Sequence, residues 1–174
     1  TRGGQPRAPP PWPGCWRASP RLTTGTSGRC GPSCRPPSPV QGLAVVRLVA
    51  DTHALVWHLT APKKLGTAAR RALGAADEGR WLCCVPAIAL VEIALLRERG
   101  RIGVGVEEVL GAIAGHPGYA VLALDAEQAT EFAGLMGVKD PMDRLVLAAA
   151  RATGSDLVSS DGALDGFGVE RLWD

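Results

Sequence analysis

Val45-Val46-Arg47-Leu48-Val49-Ala50-Asp51-Thr52-His53-Ala54-Leu55-Val56-Trp57-His58-Leu59 decides the fold. Its first six residues are almost wholly apolar and rich in valine, the composition of a strand buried on both faces. An acid follows at once, and His53 to Leu59 then takes up helical periodicity. Working outward, further apolar runs predict strands at Trp81 to Val85, Ala120 to Leu124, Asp156 to Ser159 and Val169 to Trp173. Helical spacing predicts Thr67 to Ala76, Pro86 to Arg99, Val106 to Ala114, Ala126 to Met136 and Pro141 to Thr153. Pro86 and Pro141 suit a first helical turn, Asp140 suits the cap before the last helix, and Gly100 and Gly154 follow helix ends. Strand followed by helix, repeated, implies an α/β fold with a central parallel sheet covered on both faces. Ligands of such folds bind beyond the carboxyl ends of the strands.

The composition divides near residue 40. Ten of the 14 prolines and six of the 19 Lys+Arg lie before residue 41, with none of the 17 Asp+Glu. Such a segment has too little apolar surface to offset the entropy of ordering. Residues 1–44 are therefore read as a disordered Pro/Arg-rich tail or as an upstream extension not translated with the domain, which spans residues 45–174. The only methionines are Met136 and Met142, so initiation is expected at Val45 or Val46. Peptides from Arg2 to Arg35 in the native protein would contradict that expectation.

Residues 41 to 174 hold 13 Lys+Arg against 17 Asp+Glu, a net charge of 13 − 17 = −4. A broadly basic nucleic-acid footprint is thereby excluded, leaving local patches such as Lys63/Lys64, Arg70/Arg71 and Arg97/Arg99/Arg101. Cys83 and Cys84 are neighbours in an apolar run, where successive side chains point to opposite faces, so they read as core residues and not as a disulfide. Cys15, Cys30 and Cys34 lack the second well-spaced pair and the histidine of a zinc site. The longest apolar stretch, Trp81 to Leu96, is broken by Pro86 and Glu92, and no secretory signal is visible. A cytoplasmic protein without a membrane span is expected.

Four carboxylates occupy informative places. Asp51 and Asp161 each follow a strand run at the edge where ligands bind, and Asp143 lies in the first turn of the helix that starts near Pro141. Glu92 is the only charged residue between Pro86 and Leu96. A carboxylate on so apolar a helix needs a cation, either a metal or an Arg or Lys partner. An all-oxygen cluster suits a hard ion such as Mg²⁺ or Mn²⁺. One or two such ions supply the chemistry of phosphodiester hydrolysis without a side-chain nucleophile. Each acid also has a purely structural reading: a turn residue for Asp51, a helix-end charge for Asp143, a short-helix cap for Asp161 and a buried salt bridge for Glu92. His53 and His58 lie five apart on one helix and point in different directions, which argues against a histidine acid–base pair. An aspartyl phosphatase would need a second acid where His53 stands, and no Gly-rich phosphate loop is present.

The run Asp51-Thr52-His53-Ala54-Leu55-Val56-Trp57 resembles the opening motif of PIN-domain toxins of the VapC type. The stretches Ala87 to Leu96, Asp140 to Leu145 and Leu157 to Asp161 resemble the family's next three motifs, in order. The likeness covers Val45 to Asp174. It implies a PIN-like three-layer α/β/α sandwich and an endoribonuclease that hydrolyses RNA phosphodiester bonds with Mg²⁺ or Mn²⁺. It further implies the toxin role in a toxin–antitoxin pair, a homodimer, and a cognate antitoxin that inserts a segment into the active-site groove. By the same resemblance Asp51, Glu92, Asp143 and Asp161 form the catalytic, metal-binding set. Ser159 is a hydroxyl near the metal, Asp140 a secondary acid, and Arg144 a partner for a carboxylate or a substrate phosphate. Two departures stand out: Ala89 where many relatives have serine, and Val138 where a histidine is common. The alternative is a catalytically inactive PIN-like module that binds RNA or protein, for which Ala89 is the one hint.

Overall fold

A computed structural model describes residues 47–174. The expectations for the tail, including its disorder and its three cysteines, lie outside the described residues. Within them the strands are β1 (Arg47–Ala50), β2 (Leu82–Pro86), β3 (Tyr119–Leu122), β4 (Asp156–Val158) and β5 (Arg171–Leu172). The helices are α1 (Thr52–Thr60), α2 (Thr67–Asp77), α3 (Ala87–Glu98), α4 (Val106–Ala114), α5 (Ala126–Gly134) and α6 (Pro141–Thr153), with 3-10 turns at Pro62–Lys64 and Gly162–Leu164.

The sheet is parallel throughout, in the order β3-β2-β1-β4-β5. β1 is central because its apolar residues are needed on both faces. Leu48 and Ala50 enter one core with Cys83, Val85 and Val158, beneath Leu55 of α1, Leu73 of α2 and Val109 of α4. Val49, Cys84 and Leu157 enter the other, beneath Val146 to Ala150 of α6. Two helix layers thus sandwich the sheet, as a three-layer α/β/α fold requires. Cys83 and Cys84 are free, buried and on opposite faces, as strand alternation dictates.

The chain moves from β1 through β2 to β3 and then returns to β4 on the other side of β1. The reversal puts the topological switch point between β1 and β4, beyond whose carboxyl ends ligands of such folds bind. Ala50 pairs with Val158, so Asp51 and Ser159 leave the two strands side by side. The amide of Asp51 donates to the Val158 carbonyl at 3.0 Å, carrying the pairing one residue past β1.

Candidate metal centre

Asp51 is the deepest acid in the molecule's described part, 4% exposed. It stands where β1 gives way to α1, and its carbonyl already accepts the first helical bond, from Leu55 at 2.9 Å. Ser159, fully buried on the neighbouring strand end, donates its hydroxyl to Asp51 Oδ2 at 3.0 Å. The same hydroxyl oxygen accepts from the Asp161 amide at 3.1 Å. One serine thus ties Asp51 to the turn that carries Asp161. Burial pushes the Asp51 carboxyl up, the Ser159 bond and the nearby His53 oppose this, and Glu92 adds to it. The hydroxyl of Thr52, next in the chain, is buried with no partner among the described residues.

Asp143 comes from the first turn of α6. Asp140 caps that helix, its Oδ1 accepting from the amides of Met142 at 2.8 Å and Asp143 at 3.4 Å, and Pro141 fills the first helical position. Helix-end placement alone would hold Asp143 down. Its carboxyl is instead pushed up to about 6, first by burial and then by the like charges of Asp51, Asp140, Asp161 and Glu92. Five carboxylates from two helices and two strand ends therefore share one edge. Asp161 also caps the 3-10 turn Gly162–Leu164 through the Ala163 amide at 2.9 Å, so its structural reading and its place at this edge hold together.

Glu92 is half-buried, with Val91 beside it half exposed, so α3 turns a more open face here than its apolar sequence predicts. It makes no ion pair among the described residues, which removes the salt-bridge reading there. It lines a cleft of about 390 Å³ together with His53, Arg99, Arg101, Asp140 and Asp143. Arg144 is placed otherwise than the sequence suggests. Its Nε donates to the Phe132 carbonyl at 2.8 Å, its Nη2 to the Ala133 carbonyl at 3.4 Å, and its guanidinium lies over the Phe132 ring at 4.0 Å. The following residue on a helix points about 100° away from Asp143, given about 3.6 residues per turn, and here that direction meets the end of α5. Arg144 is committed to the carbonyl end of α5.

Sequence reasoning left His53 out of the site, reading it as a helix-surface or partly buried group. The signal was its position two residues after Asp51, in the first turn of α1 at the active edge.

A family model described as PIN domain matches residues 48–169. The chain belongs to the PIN domain family. No curated protein matches its sequence. Among solved structures this PIN domain is similar to VapBC2 from Rickettsia felis bound to a DNA fragment from their promoter, at TM-score 0.58 and 12% identity over 74% of this chain and 100% of that one. It is also similar to DNA-bound VapBC from Salmonella typhimurium, at TM-score 0.54 and 15% identity over 73% and 97% of the two chains. A toxin–antitoxin complex from Klebsiella pneumoniae follows at TM-score 0.51 and 16% identity over 70% and 94%.

The donor set of the PIN domain suits a hard divalent ion. It is all carboxylate and hydroxyl oxygen, it contains a buried acid with one side-chain donor, and Glu92 has no cationic partner among the described residues. Among the described residues no three His, Cys, Asp or Glu side chains are drawn into a closed ligand set. Like charges oppose closer approach, as the raised Asp143 records. No helix among the described residues is long and apolar enough to cross a membrane.

Proposed function

We propose that this PIN domain is a Mg²⁺- or Mn²⁺-dependent endoribonuclease, acting as the cytoplasmic toxin of a toxin–antitoxin pair. The observation that carries the reading is the crowding of Asp51, Asp143, Asp161 and Glu92, from four separate stretches of sequence, at the switch point of a parallel sheet. Membership of the family supports nuclease chemistry. The toxin role, the homodimer and the cognate antitoxin rest on resemblance to VapC-type toxins, and on the fold shared with structures that are themselves toxin–antitoxin complexes.

Asp51, Glu92, Asp143 and Asp161 would hold the ion. Such an ion supplies Lewis-acid polarisation of a phosphoryl oxygen, acidification of water and charge for the leaving oxygen. Ser159 orients Asp51 and, through the Asp161 amide, fixes the turn that presents the fourth acid. Asp140 sets the start of α6 and hence the height of Asp143 in the cleft. Burial of Asp51 excludes water from one side of the cluster and strengthens its pull on a cation.

The experiment is cleavage of labelled total RNA by the full chain with Mn²⁺, with Mg²⁺ and with chelator, beside Asp51→Asn and Glu92→Gln. Metal-dependent products that disappear in both variants are expected. Equal behaviour of folded wild type and variants would instead leave a PIN-like binding module without turnover.

A further inference from the structure

The cleft at the carboxyl edge carries both signs of charge. Arg99 and Arg101 line it beside Glu92, Asp140 and Asp143, yet neither guanidinium is ion-paired among the described residues. The third member of the basic run behaves differently: Arg97 Nη1 is held by Glu108 of α4, at 2.8 Å from Oε2 and 3.0 Å from Oε1. Two neighbouring arginines thus stay uncommitted within reach of acids.

Their placement is built into the backbone. Gly100, at φ +66, ends α3, with its amide on the Arg97 carbonyl at 2.9 Å and the Arg101 amide on the Leu96 carbonyl at 2.9 Å. This pair of bonds is the Schellman termination, which requires a left-handed residue and so favours glycine. It fixes Arg99 before the turn and Arg101 after it. Arg99 lies two helical turns beyond Glu92, about 10 Å along the axis at about 1.5 Å per residue, on the same face. Extended guanidinium side chains from there span the distance between the acids and a neighbouring stretch of bound polyanion.

We infer that Arg99 and Arg101 grip the phosphates of single-stranded RNA next to the bond held at the acidic cluster, setting the register of the strand in the cleft. The acids alone would repel RNA, and an ion at their centre compensates only one locus. Two unpaired guanidinium groups at the cleft's rim supply the remaining attraction, in a domain whose overall charge gives none. The substrate class rests on the nuclease reading above; the phosphate grip does not.

The test uses a labelled single-stranded RNA oligonucleotide and the full chain. In the Asp51→Asn background, with chelator, the salt dependence of binding is compared with and without Arg99→Gln/Arg101→Gln. Each phosphate contact on a single strand contributes about 0.7 to the slope of log K against log salt, so the pair is expected to lower it by about 1.4. Arg99→Lys/Arg101→Lys should keep most of the slope, and Arg80→Gln, outside the cleft, should leave it unchanged. In the Mn²⁺ cleavage assay, the glutamine pair should raise KM with kcat little altered. An unchanged slope and KM with an unchanged melting midpoint overturns the grip while leaving the nuclease standing. A lowered slope in a chain whose wild type never cleaves RNA upholds the grip and overturns the nuclease.

Discussion

The two edges of one sheet treat their acids in opposite ways. At the amino edge, Asp77 ends α2 and its Oδ1 accepts from the Tyr119 hydroxyl at 2.9 Å and from His58 Nε2 at 3.0 Å. Burial pushes the Tyr119 hydroxyl up and keeps it a donor. At the carboxyl edge, Asp51 has one serine hydroxyl, while Glu92 and Asp143 have each other's charge for company. Asp77 accepts from two side-chain donors, so it serves stability. The acids of the other edge are held together against their own repulsion, an arrangement that stability alone does not favour and cation binding does.

The strongest way to break this comparison is to remove one acid from each edge. Asp51→Asn should abolish metal-dependent cleavage, by about 10²-fold or more, because a ligand to the reacting centre is lost. Its melting midpoint in chelator should stay the same or rise, since a buried charge is removed and Ser159 keeps an acceptor. Asp77→Ala should do the reverse. With no acceptor for Tyr119 and His58, stability should fall by about 1–3 kcal/mol in a urea titration, with kcat unaltered below the transition. Alanine is needed there because an asparagine oxygen would still accept both bonds. Destabilisation of both variants to a similar degree would erase the distinction between the edges.

A smaller effect sharpens it. Ser159→Ala leaves every carboxylate in place but frees Asp51 and loosens the Asp161 turn. Loss of an orienting partner of this type lowers metal affinity or activity by about 10- to 100-fold. Mn²⁺ titration followed by melting, with cleavage rates at saturating Mn²⁺, separates the two. Wild-type affinity in the variant would mean that Asp51 is held by burial alone.

The sequence carried the fold because each element's periodicity and punctuation agree. The alternation from β1 to β5 is visible as apolar runs, and Asp140, Gly100 and Gly154 mark helix ends. What it blurred lies at ends: β5 shortens to Arg171–Leu172, α5 stops at Gly134, and the 3-10 turn at Pro62–Lys64 has no periodic signature. In the site, position relative to a strand end located Asp51 and Asp161, and helix-start chemistry located Asp143. Direction around a helix was not legible. Apolar neighbours made Glu92 look enclosed although Val91 beside it is half exposed, and adjacency to Asp143 made Arg144 look like part of the cluster. Both depend on which neighbouring element covers a given face, a tertiary fact with no local residue code. The commitment of Arg97 to Glu108 across α3 and α4, with Arg99 and Arg101 in no ion pair among the described residues, is of the same kind.

The gentlest probe of the two edges is pH, because it changes charge without changing atoms. Asp143 is raised from 3.8 to about 6 in the folded chain. Between these values the folded state keeps a proton that the unfolded chain releases, so the stability it contributes is complete below about pH 4 and is lost as pH rises through about 6. Asp51, also raised, works in the same direction. In chelator the melting midpoint should therefore drift down from pH 4.5 to pH 7. A divalent cation needs the carboxylate form, so the stabilisation given by Mn²⁺ should be small at pH 5 and grow across the same window. Asp143→Asn should flatten the first trend and blunt the second. A midpoint in chelator that is level across this range would mean the four acids are not crowded, and the contrast between the edges would lose its electrostatic basis.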